Sequence, residues 1–131
     1  MNDLYQPRTI EQLLRRSPDT RRNVNRHVEI RGIPRGIINS RNIGYVVGYL
    51  QDGVRFVSFH FRPHDTTNTL SAMEMASLLS ASSESGMEVI VRGEYEPKNH
   101  YVPNAQQGNL EIEAVRLNNV TLNFSGFSWD E

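Results

Sequence analysis

Between Tyr45 and Arg62 the chain reads Y-V-V-G-Y-L-Q-D-G-V-R-F-V-S-F-H-F-R, an alternating stretch interrupted at Asp52-Gly53. Asp-Gly between runs of Val, Tyr and Phe is a strong hairpin signal, because Gly accepts the positive φ that two-residue turns need. A loop at 52–53 predicts Gln51 opposite Val54, Leu50 opposite Arg55, Tyr49 opposite Phe56 and Val46 opposite Phe59. Side chains alternate along a strand. One face therefore carries Val46, Gly48, Leu50, Arg55, Val57, Phe59 and Phe61, and the other Tyr45, Val47, Tyr49, Phe56, Ser58, His60 and Arg62. The first reads as core, with Arg55 tolerable near a barrel end where its head reaches water. The second suits a platform on which flat bases stack. It also suits a face buried in a sandwich or a dimer, and a one-residue slip would exchange the two faces.

The same pattern predicts the other elements. Val28–Ile33 alternates apolar and charged residues and reads as the first strand; Pro34, Gly36 and Asn39 then mark a loop or a bent strand over 34–43. Ser71 with Glu74 forms a capping box for a helix over about 71–82, whose apolar face is Ala72, Met75, Ala76 and Leu79, with Gly86 as terminator. Met87–Tyr95 reads as strand four and Leu110–Val115, extending to Leu117, as strand five. Before them all, Thr9 with Gln12 and Ile10, Leu13 and Leu14 suggests a short helix inside an Arg-rich, partly disordered arm. The order is three strands, a helix and two strands. The expected fold class is therefore all-β, a five-stranded OB-fold Greek-key barrel with one helix between strands three and four. The expected division is an arm at 1–27, a barrel at 28–123 and an aromatic, acidic tail at 124–131.

Composition narrows the function. The chain has 131 residues, which suits one domain with tails, and no cysteine, which removes disulfides and thiolate metal sites. It has no apolar run long enough to span a bilayer and no secretion leader, so the expected address is cytoplasmic. Net charge is −1, but residues 1–62 hold 11 of the 14 Lys+Arg and 5 of the 15 Asp+Glu, and the remainder hold 3 and 10. All but one of the cations are Arg, the residue that forks onto phosphate and stacks on bases. A basic half joined to an acidic half fits a nucleic-acid binder, and fits equally two halves that attract each other.

Gly86-Met87-Glu88-Val89-Ile90-Val91-Arg92-Gly93 resembles the Gly-x-x-Val-x-Ile/Val-x-Gly segment of bacterial single-stranded DNA-binding proteins. A short helix precedes it, and a polar loop and a strand alternating apolar and acidic residues follow. The resemblance covers roughly residues 70–117. It implies base stacking by aromatic residues on the barrel face and phosphate contacts from basic loops. By position Tyr45, Tyr49, Phe56 and His60 can take the first role, with Arg62 beside them. Arg35, Arg41, Arg92 and Lys98 can take the second, and Tyr101 lies in the same loop as Lys98. Two departures point to a plasmid, phage or specialised relative: an Arg-rich arm precedes strand one, and the family's long linker is missing.

No catalytic or metal motif stands out. His60-x-x-x-His64 crosses Pro63 rather than one helix face, and Gly32-Ile33-Pro34-Arg35-Gly36 lacks the Gly-Lys-Ser/Thr of a phosphate loop. The expectation is a binding protein that is no enzyme and needs no cofactor and no metal. Its partner would be single-stranded DNA, with RNA open. The alternative is an OB-fold interaction subunit of a replication or transfer assembly. Homo-oligomerisation is expected. Phe127, Trp129, Asp130 and Glu131 would form a mobile peptide that docks on a partner protein or competes for the basic face.

Overall fold

The computed structural model describes residues 5–15, 26–40, 45–61, 69–96, 108–123 and 129. In chain order these form β1 (Gln6–Pro7), α1 (Ile10–Leu14), β2 (His27–Ser40), β3 (Tyr45–Asp52), β4 (Arg55–Phe61), α2 (Thr69–Ser85), β5 (Val89–Glu96), β6 (Asn109–Leu117) and β7 (Val120–Asn123). Five strands close into a ring in the order β2-β3-β4-β6-β5, with β5 pairing back onto β2. The β4–β6 contact is parallel and the other four are antiparallel. Short β1 adds in parallel to the start of β2, and β7 pairs with β6.

β2 makes the closure possible. Its first half, His27 to Gly32, pairs with β5, and its second half, Ile33 to Ser40, pairs with β3. The strand changes partner near Pro34, and a register shift follows between Arg35 and Ile38, where Gly36 takes φ +61°. An extra residue at a left-handed glycine bends a strand and increases its twist, as a barrel corner requires. Of the loop or bent strand expected over 34–43, the bent strand is what forms through Ser40, and 41–43 lie outside the described residues.

Val46, Leu50, Val57, Phe59 and Phe61 of the hairpin point inward and are fully buried with Val28, Ile30, Val91, Leu110 and Ile112. Gly48 lies opposite Phe59, and a Cβ there would stand 2.7 Å from that ring and 2.9 Å from Ile37. The missing side chain is what lets the phenyl ring fill the barrel. α2 contributes Met75 and Leu79 to this core. It starts two residues before Ser71, so Ser71 lies inside the first turn rather than at the cap. Gly86 ends it at φ +68°; Met87 N–H donates to Ser82 O at 2.9 Å and Gly86 N–H to Ser83 O at 3.4 Å, a Schellman closure.

Two expectations change. The described residues hold seven strands rather than five, because β1 and β7 join the body, and the short arm helix expected at 10–14 is α1. The arm is also not separate from the barrel over 5–15. Thr9 and Gln12 do form the capping box, and the helix they start inserts Ile10 and Leu13, both fully buried, among the core residues. A helix this short is not stable alone, so the apolar contact is what holds it. Leu13→Ala should therefore destabilise the whole domain by about 2–5 kcal/mol in urea unfolding, through the cavity it leaves. A change within error would mean that α1 is an appendage.

Candidate functional site

The hairpin turns one residue later than the Asp-Gly rule predicts. Gly53 and Val54 form the loop, and Asp52 stays in the ladder opposite Arg55, with Gln51 opposite Phe56. Gly53 alone takes a positive φ, +61°, which puts glycine at the first central position as in a type II′ turn. The Asp52–Arg55 pairing also sets opposite charges across the strands. Each residue's partner shifts by two positions, an even number, so both faces keep the composition read from the sequence.

The outer face divides in two. Toward the hairpin tip, Tyr49 is 43% exposed and Phe56 half-buried, their rings edge-to-face at 6.2 Å and 83°. The Tyr49 ring lies over Gly36, where an added Cβ would come within 3.5 Å of it. Val47 and Ile38 pair beside them, Ile38 at 59% exposure. Arg35, opposite Tyr49, is held at both ends: Nε donates to Gln51 Oε1 at 3.0 Å and an Nη to Ser83 O of α2 at 2.9 Å. Its guanidinium is a strut from the sheet to the helix terminus.

Toward β6 the face closes. Ser58 and His60, expected on the open platform, are 6% and 4% exposed. Ser58 Oγ donates to Gly108 O at 2.9 Å, Asn109 Nδ2 donates to Ser58 Oγ at 3.3 Å, and His60 Nδ1 bonds Asn109 Oδ1. Glu111 Oε2 stands 3.6 Å from His60 Nε2. The parallel β4–β6 contact sets these groups side by side, and their mutual hydrogen bonds make burial tolerable. His60 is a buried network residue and presents no open ring. Tyr45 opens β3 opposite Ser40. Arg62, Arg41, Lys98 and Tyr101 lie outside the described residues.

Arg92, expected to meet phosphate, is committed elsewhere. Its Nε bonds Glu29 Oε1 at 2.9 Å across the β2–β5 contact, and an Nη donates to Trp129 O at 3.0 Å. Trp129 is not a free hook: it is 6% exposed, its ring 4.2 Å from Arg92 Cζ and 4.4 Å from Arg116 Cζ. Arg116 Nε donates in turn to Thr121 Oγ1 of β7 at 3.1 Å. Guanidinium–indole contacts out of water are worth roughly 0.5–2 kcal/mol each, enough to hold a tail end. Phe127, Asp130 and Glu131 lie outside the described residues. Tyr5, whose ring centroid is 5.5 Å from Arg92, also meets His27 edge-on at 5.4 Å. No sequence spacing signals this cluster, because its members lie far apart along the chain; a lone Trp near an acidic end was the only hint.

No helix among the described residues is long and apolar enough to cross a membrane. No protein-family model matches the chain. No curated protein matches it in sequence. Among solved structures it resembles a putative aspartyl-tRNA synthetase from Leishmania major Friedlin, with 14% identity and a TM-score of 0.57 over 95% of this chain and 22% of that one. It also resembles RecG bound to a three-way DNA junction, with 15% identity and a TM-score of 0.59 over 95% of this chain and 16% of that one. A small single-stranded DNA-binding protein from Mycoplasma pneumoniae aligns at 10% identity and a TM-score of 0.48, over 74% of this chain and 97% of that one. The first two likenesses are of fold: a mostly β domain with one sheet closed into a ring, of the OB kind. This chain spans less than a quarter of either of those proteins.

Burial pushes the Glu113 carboxyl above its ordinary range; Glu111 and Glu94 add to the rise, while the Tyr5 hydroxyl bond and His27 oppose it. Desolvation, and then Glu113 itself, hold the Tyr5 phenol well above its usual value, so it remains a neutral donor to that carboxylate. Glu113 Oε1 is buried without a hydrogen bond among the described residues. A carboxyl that binds its proton more tightly when folded contributes stability that is full below the unfolded Glu value and lost as pH rises through the raised one. Glu113→Gln keeps an acceptor for Tyr5 without the charge. Its melting temperature should exceed the wild type's at pH 8, the gap closing as pH falls toward 4. A gap that widens on acidification would contradict this account of Glu113.

Proposed function

We propose that this chain binds single-stranded nucleic acid, with DNA as its first ligand, on the outer face of the β3–β4 hairpin. The observation that carries the reading is the exposed, edge-to-face Tyr49–Phe56 pair beside Ile38 and Val47. Such rings offer π-faces to unpaired bases and little else to ordinary solvent. Arg35 stands at the rim, oriented by Gln51 and Ser83, with N–H groups beyond those two bonds for a phosphate. Arg41, Arg62, Lys98 and Tyr101, which lie outside the described residues, keep their expected contact roles in this reading, and Tyr45 its expected role as a third ring. His60 takes a supporting role beneath it. RecG, solved bound to a three-way DNA junction, resembles this fold over 16% of its chain. Binding of this kind asks for no catalytic group and no cofactor.

One observation favours a second reading. Ile38, paired with Val47 beside the rings, is exposed; it gives bases no special partner but suits a protein surface. In that reading the face meets another chain in a replication or transfer assembly, a copy of itself included. The two readings respond differently to salt. Affinity for a strand falls steeply as salt rises, with a slope set by the phosphates contacted, whereas an apolar interface barely responds.

Titration of a labelled dT oligomer at two salt concentrations tests the proposal. Tyr49→Ala and Phe56→Ala should each weaken binding by about 1–3 kcal/mol and leave the melting temperature nearly unchanged. Phe59→Ala, three positions beyond Phe56 on β4 and on the inner face, should cost about 3–5 kcal/mol of fold stability instead. Absence of binding by the wild type, or unchanged affinity in both outer variants, would remove the first reading and leave the second.

A further inference from the structure

The two ends of the described chain meet on one guanidinium. Tyr5, at the head of β1, has its ring 5.5 Å from Arg92, and Trp129 packs on the same group at 4.2 Å. Arg92 is fixed between them by Glu29 at 2.9 Å and by the Trp129 main-chain oxygen at 3.0 Å. Each ring has a further neighbour of its own: Tyr5 meets His27, and Trp129 meets Arg116. Arg92 is the contact they share.

Both contacts are made by short pieces. β1 has two residues, matched only to Val28 and Glu29, ahead of the core-anchored α1, and Trp129 stands six positions beyond the end of β7 at Asn123. Short segments of this kind lose much conformational freedom for few contacts, so each depends on how well its anchor is already ordered. With either ring gone, one side of the Arg92 head opens to water and the head, still bonded to Glu29, is less tightly fixed. The remaining ring then packs on a wetter, less fixed cation, which weakens a cation–π contact.

We propose that Arg92 couples the two chain ends into one latch over the β2–β5 seam, so that docking of β1 and seating of Trp129 reinforce each other. A partner protein that draws off Trp129 then also loosens the N-terminal segment. Coupling between two sites is reciprocal: whatever factor one end exerts on the other is returned. The latch thus carries a signal from one terminus to the other with no change in the ring of strands.

The chain offers a reporter for each end. Trp129 is its single tryptophan, so emission and acrylamide quenching follow the C-terminal side. The Arg8 N–H, which donates to Glu29 O at 3.0 Å, follows β1 through its hydrogen exchange. Tyr5→Ala should raise the quenching of Trp129 about fivefold or more, and Trp129→Ala should speed Arg8 exchange by a similar factor. Tyr5→Phe keeps the ring and loses only the bond to Glu113, and should leave Trp129 shielded. In an Arg92→Gln background Tyr5→Ala should add nothing. Trp129 in the tail can be removed without touching the core, so that arm of the test survives even where Tyr5→Ala unfolds. Unchanged Arg8 exchange in Trp129→Ala, or Trp129 shielding that is insensitive to Tyr5→Ala or lost in Tyr5→Phe, would overturn the proposal.

Discussion

Closure of the sheet through β2 is the constraint on which the rest depends. One strand supplies backbone partners to β5 along its first half and to β3 along its second, so the ring has no free edge at that seam. Closure assigns every strand an inside and an outside. The inside is then a fixed volume, and the pairing of Gly48 with Phe59 is one consequence: the ring fits because its opposite number has no side chain. The outside is where chemistry has room to vary. Its character changes around the barrel, from rings on β3 and β4, through a buried polar network between β4 and β6, to guanidinium clamps on β5 and β6.

The described arginines tie parts of the fold together, each through its own partners. Arg92 and Arg116 hold the chain end down through indole contacts, and Arg92 also crosses the β2–β5 seam to Glu29. Arg35 ties the bulged strand to the end of α2. Arg55 reaches Glu11 of α1 at 3.7 Å, with its head in water at the barrel end. Arg35 and Arg55 of the basic half, like Arg92 and Arg116 beyond it, serve as internal scaffolding, so a count of arginines overstates the charge open to a phosphate backbone. For that reason the proposed interface leans on stacking first and on phosphate contact second.

The faces of the hairpin were legible because a strand has a period of two, and moving the turn by one residue changes the pairing by two. Val46, Leu50, Val57, Phe59 and Phe61 therefore came out inside despite the misplaced loop. The end of α2 was legible from Gly86, whose left-handed backbone closes the helix. Other features were hidden for physical reasons. Ile10 and Leu13 sit in a helix of five residues, too short to show an amphipathic period, and only the core around them reveals their role. β7 is four residues long and follows a turn in which Asn118 takes φ +54°, a role asparagine tolerates without announcing it. His60 looked like surface because its neighbours alternate correctly, yet its burial is decided by Asn109, 49 positions away. Trp129 looked free for the same reason, since its partners lie on β5 and β6.

The most direct test of the account is a map of backbone amide shifts on adding a dT oligomer to the isotopically labelled protein. The account predicts that the changes cluster on Tyr49, Gln51 and Phe56 with Arg35 and Ile38 beside them, while the inward residues Val57 and Phe59 shift less. Changes centred instead on β7 and the exposed side of α2, or a spectrum indifferent to the oligomer at low salt, would contradict it.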